Sequence, residues 1–172
     1  LLIGADTGLW LVEPNAPHSY PVSMHKNKTE GGPVFALSSA RNGAIWVGAE
    51  SGLFLIGENR EIESPPWQLP KLSRRAIVMR AKDNSYWIGS YYGLYRRKAI
   101  SVPAKIADSG FGVDSGVNSI VEDDEAGIWL GSNSEGLLYI PPESGRFFSF
   151  KNFGILNGHN IVGAEIDQEG VV

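Results

Sequence analysis

The side chains able to do chemistry are few, and their spacing points away from catalysis. His18, His25 and His159 are the histidines of the 172-residue sequence, and no two stand at i, i+4 spacing or in an HExxH-type frame. No metal centre is expected from them. The sequence has no cysteine, which removes disulfides, thiol nucleophiles and thiolate metal sites and suits the cytoplasm or the periplasm alike. Asp123-Asp124-Glu125 gathers three carboxylates. Glycoside cleavage needs two carboxyl groups held across a sugar, whereas this run lies between apolar segments and reads as a solvated turn. Neither a Gly-x-Ser-x-Gly elbow nor a phosphate-cradling loop occurs. The reading is a non-enzyme with no cofactor and no metal.

Binding is the better use of what remains. Sugars are held by aromatic faces together with planar hydrogen-bonding side chains, and the sequence offers both kinds. The candidates are Tyr91, Tyr92, Arg74, Arg75, Asn133, Glu135, Asn157 and His159. The plainer readings are that the two tyrosines cap a neighbouring loop and that Arg74 and Arg75 are solvated charge. A net charge of -4 with no stripe of Lys or Arg argues against nucleic acid, which needs clustered cations to displace counterions. No run approaches the roughly 18 consecutive apolar residues of a membrane span, so no membrane contact is expected of this segment.

The elements that must position these residues repeat. Trp87-Ile88-Gly89-Ser90-Tyr91-Tyr92-Gly93-Leu94-Tyr95 has counterparts at 2–10, 46–54 and 129–137, the last with one extra residue between its glycines. The first glycine recurs as Gly4, Gly48, Gly89 and Gly131, at steps of 44, 41 and 42 residues. Each copy carries the signature strand, a glycine turn and a further strand, from the second copy on with an apolar run and a polar turn before them, and with weaker outer strands near 20–24, 67–69, 102–106 and 147–150. No helical periodicity is sustained, and hydrophobic residues at 42% suit a folded chain. Four short antiparallel strands in about 42 residues is one blade of a β-propeller. The expected fold is therefore all-β, with four blades over residues 1–172 and a partial fifth lead-in at 160–172.

In this scheme Gly48, Gly89 and Gly131, like Gly4, mark a close approach of backbones. Gly8, Gly52, Gly93 and Gly136 close hairpin turns, and Trp46, Trp87 and Trp129 fill the space between sheets. The loop between second and third strands and the loop leading into a first strand share one face. That face would carry Asp6, Glu50, Tyr91, Tyr92, Asn133, Glu135, Arg74, Arg75, Asn157 and His159, of which Tyr91 and Tyr92 stand out because the other copies are small or polar there. Both ends fall inside a second strand, so two arrangements compete: four blades closing with a shared strand, or a segment of a larger ring. Absence of an initiating Met and cuts within a strand favour the larger ring.

The motifs Gly127-Ile128-Trp129-Leu130-Gly131-Ser132 with Gly136-Leu137, and Tyr86-Trp87-Ile88-Gly89-Ser90 with Gly93-Leu94-Tyr95, resemble the two-component regulator propeller repeat. Val117-Asn118-Ser119-Ile120-Val121-Glu122-Asp123 is similar to that family's lead-in. Leu2 in place of Trp, Arg41 in place of the turn acid, and the insertion at 133–135 depart from the pattern. The resemblance implies a ring of about seven blades. It implies a periplasmic sensing domain of a bacterial inner-membrane signalling protein, with a kinase or cyclase output elsewhere in the polypeptide. An oligosaccharide is the implied ligand class and a homodimer the implied assembly of the intact sensor. The alternatives are an interaction scaffold without a small-molecule site and, more weakly, a propeller hydrolase or lyase.

Overall fold

A computed structural model describes residues 1–12, 19–22, 32–40, 43–59, 61–63, 65, 76–98, 104–106, 116–142, 146–150, 159–165 and 167. The first sheet contains β1 (Leu2–Ala5), β2 (Gly8–Val12) and β3 (Ser19–Val22). The second contains β4 (Val34–Ser39), β5 (Ile45–Ala49), β6 (Gly52–Ile56) and β7 (Ile62–Glu63). The third contains β8 (Ile77–Arg80), β9 (Tyr86–Ser90), β10 (Gly93–Arg97) and β11 (Ala104–Lys105). The fourth contains β12 (Val117–Glu122), β13 (Ile128–Ser132), β14 (Leu137–Ile140) and β15 (Phe148–Ser149). Every sheet runs in sequence order as a meander, three of them four-stranded and the first three-stranded. No helix occurs among the described residues, hence none long and apolar enough to cross a membrane.

The chain divides into two compact units, Leu1–Ile77 and Val78–Val172. In the first, Leu9, Val34, Val47, Ala49 and Ile56 are buried together, with Leu2, Ile45 and Phe54 packed against them. In the second, Ile88, Leu94, Leu130 and Leu138 lose essentially all contact with solvent. Within each unit the blades dock alike: β1 against β4, and β9 against β12. The repeat glycine explains the docking. A Cβ on Gly4 would stand 2.6 Å from Val34, one on Gly131 would stand 2.7 Å from Ile161, and one on Gly48 would run into the carbonyl oxygen of Ala76. The glycine before Leu has a different cause. Gly93 sits at φ +117° in the β9–β10 turn, a conformation that an L side chain resists.

The polar turn between first and second strands recurs with unrelated residues. Ala40, Ala81 and Asp123 each donate their N–H to the carbonyl four residues on, at 2.8–2.9 Å. The left-handed residue in this turn is Gly43, Asn84 or Ala126. Two expected strands differ. The outer strand of the second sheet is Ile62–Glu63, while 67–69 lie outside the described residues. A tight turn brings it forward, with Asn59 Oδ1 accepting from Glu61 N at 3.1 Å and Gly57 N donating to Glu61 O at 3.0 Å. The lead-in expected from residue 160 onward forms no strand over 159–165.

Candidate functional site

Two hairpin turns of the second unit hold the aromatic and amide candidates. Ser90 and Ser132 end the signature strands of the third and fourth sheets and are fully buried. Each hydroxyl bonds the turn that follows. Ser90 Oγ accepts from Tyr92 N at 3.1 Å and donates to Gly93 O at 3.2 Å. Ser132 Oγ accepts from Ser134 N and Glu135 N at 3.2 and 2.8 Å. These bonds fix the backbone where the side chains must point outward. Tyr91 and Tyr92 are 55% and 41% exposed and meet edge to face, with centroids 5.4 Å apart and planes at 85°. That geometry leaves ring faces open to solvent.

Beside them an asparagine cluster is assembled by an irregularity in β12. The β12–β13 register slips between Val117 and Ser119, and Asn118 is the extra residue. A bulge re-aims its side chain, and Asn118 turns toward the loop end of the blade. Its amide nitrogen donates to Asn133 Oδ1 at 2.7 Å, Ile161 O at 2.9 Å and Asn160 Oδ1 at 3.2 Å. Backbone bonds from Asn133 N to Gly116 O (3.0 Å) and from Ile161 N to Ser132 O (3.2 Å) lock the same three segments. Gly116 is the pivot. A Cβ there would stand 3.4 Å from Tyr91 Cα and run into the Asn133 amide. The cluster can grip a polar ligand that has flat apolar faces, through phenol rings and amide groups.

No protein-family profile matches the sequence, and no curated protein matches it. Solved structures do match. The extracellular domain of BT3049 from B. thetaiotaomicron, assigned as a hybrid two-component system, aligns with a TM-score of 0.74 at 19% identity. That alignment covers 92% of this chain and 22% of the other. The extracellular domain of BT4673 from the same organism, assigned as a one-component or hybrid two-component system, gives 0.73 at 20–21% identity over 98% of this chain and 22% of that one. A catalytically inactive virginiamycin B lyase from Staphylococcus aureus, with quinupristin, gives 0.62 at 15% identity over 91% and 56%. The fold is that of β-propeller blades. The chain spans 22% of the length of the two B. thetaiotaomicron domains.

Of the expected site residues, Tyr91 and Asn133 come together at Gly116, with Tyr92 packed edge to face on Tyr91. Glu135 stands in the Asn133 turn, and His159 is exposed next to Asn160. Arg74, Arg75 and Asn157 lie outside the described residues, as do His18 and His25. The acidic run is a turn. Asp123 accepts from Gly127 N at 2.6 Å and from the Trp129 indole at 2.8 Å, while Asp124 and Glu125 are exposed. Among the described residues no three His, Cys, Asp or Glu side chains converge as metal ligands. The residue that sequence reasoning missed is Asn118, the hub of the cluster. The available signal was an asparagine near the start of a strand, where that residue type is disfavoured.

Proposed function

We propose that this chain is a non-enzymatic sensing segment of a larger extracytoplasmic propeller. Its loop face takes a polar ligand, with oligosaccharide as the class. One observation carries the reading: an exposed tyrosine pair stands beside a cluster of asparagine amides, on turns fixed by buried serines. The likeness to extracellular domains of signalling systems supports the sensory role and the periplasmic setting. The same reading takes the intact sensor to be a homodimer and its ring to have about seven blades. In this reading the ligand shifts the arrangement of protomers, and a distant output domain responds.

The test is calorimetry with a panel of neutral and acidic oligosaccharides against the chain and a Tyr91→Ala/Tyr92→Ala variant. Each aromatic contact contributes about 0.5–1.5 kcal/mol, so the double variant should bind about tenfold or more weakly while melting at a similar temperature. Unchanged affinity in the folded variant would sink the site. Failure of every saccharide to bind would favour the scaffold reading, and turnover of a bound one would favour a lyase or hydrolase.

A further inference from the structure

At the end of β9 opposite Tyr91, the third and fourth blades part and leave a crevice of about 380 Å³. One wall is the cross-strand pair Trp87 and Arg96, with the guanidinium 4.6 Å above the indole. The other wall is the cross-strand pair Ile128 and Ile140, with Glu122 beside it. The first and second blades make the corresponding crevice at the same register, between the pairs Leu2–Leu11 and Ile45–Ile56. That one measures about 170 Å³. Both of these blade pairs leave a wedge at this register. In one case leucines and isoleucines line it closely. In the other an indole, a guanidinium and carboxylates line a space more than twice as large, within the range of small-molecule sites.

The indole of Trp87 adds a second, independent observation. Trp87 is 3% exposed, and its Nε1 has no hydrogen-bond partner. The fourth blade shows what is missing: Trp129 Nε1 donates to Asp123 Oδ2, and the position equivalent to Asp123 in the third blade is Ala81. Ala81 itself lines the crevice, so the acceptor that Asp123 supplies in the fourth blade is missing at the crevice wall, beside a buried N–H. The other polar groups already have partners. Arg96 donates to Asp83 Oδ2 at 2.7 Å and to Ser85 Oγ at 3.3 Å, and Glu122 Oε2 accepts from Lys82 N at 2.7 Å. Burial pushes the Asp83 carboxyl up, but hydrogen bonds from Ser85 and the Arg96 charge outweigh it and hold Asp83 below its ordinary value. Carboxylates at the rim repel an anion, and the isoleucines favour an apolar body.

We propose that the crevice between the third and fourth blades is a binding site for a small uncharged apolar amide, whose carbonyl oxygen accepts the Trp87 indole N–H. Its N–H faces Glu122, and its hydrocarbon ring lies against Ile128 and Ile140. The site is separate from the loop face and does not depend on it.

The probe is caprolactam, titrated into chain labelled with ¹⁵N at the tryptophan indoles, the Trp87 resonance being identified by its loss in Trp87→Phe. Caprolactam should move the Trp87 resonance saturably and leave that of Trp129 in place, while cyclohexanecarboxylate, its anionic counterpart, moves neither. Ala81→Asn supplies an internal acceptor. It should shift the Trp87 resonance in the absence of probe and weaken caprolactam binding about tenfold, the worth of one hydrogen bond. If that variant does not fold, Ile128→Phe, which narrows the crevice and leaves the indole untouched, should abolish the shift. A Trp87 resonance that stays still at saturating caprolactam, or that moves equally in the folded variants, overturns the proposal.

Discussion

At the residue scale the polar turn shows how one side chain can carry two backbone duties. Asp123 satisfies Gly127 N and the Trp129 indole at once. In the third blade those duties are split, since Asp83 takes Ser85 N at 2.8 Å and nothing takes the Trp87 indole. Asp123→Ala should therefore cost about 2 kcal/mol, read as a lower midpoint in urea at unchanged slope. Asp83 gives a pH signature. Its carboxyl is held below the ordinary 3.8. A depressed native value means that its contribution is fully present above the unfolded pKa of about 3.9 and is lost as the pH falls through the native value. The stability gap between the natural chain and Asp83→Asn should be constant at neutral pH and close on acidification below about pH 4. A gap that persists at about pH 2 would show that the pair's charge is not its contribution.

At the scale of elements, a strand glycine serves the neighbouring segment more than its own. Gly48→Ala would drive a methyl into a backbone carbonyl, which cannot rotate away, whereas Gly131→Ala meets the Ser119 hydroxyl and the Ile161 side chain, which can. The expected order in chemical denaturation is a loss of about 3 kcal/mol or more for Gly48→Ala and about 1–2 kcal/mol for Gly131→Ala. Equal losses would mean that the two seams are packed alike. These elements were legible in the sequence because glycine spacing and aromatic-aliphatic pairs report backbone crowding directly. The outer strand at Ile62–Glu63 was not, because a two-residue strand leaves no alternation to read and the Asn59 turn that sets it looks like any polar loop. Asn118 was hidden for a different reason. A bulge is a property of two strands together, and one strand's residues do not display it.

At the scale of the whole molecule, the loop face and the blade seam share atoms. Tyr91 and Tyr92 were legible as a departure from the repeat, but their neighbours come from segments 25 and more residues away, joined only by folding. The same Asn118 amide that stands on the candidate face also holds Ile161, at the lead-in beyond the fourth blade. Ile161 N in turn bonds Ser132 O at 3.2 Å. A saccharide settling on the face at a hundredfold excess over its Kd should raise overall stability by about 2.7 kcal/mol. Its more telling mark is local: deuterium uptake at the Ile161 amide should slow beyond that of Trp129 in the same blade. Equal slowing at both amides would mean that the face and the seam are not coupled. In the proposed reading the asparagine is a latch as well as a finger, fastening the lead-in to the fourth blade at the face that takes the ligand. Recognition and tightening become a single mechanical event.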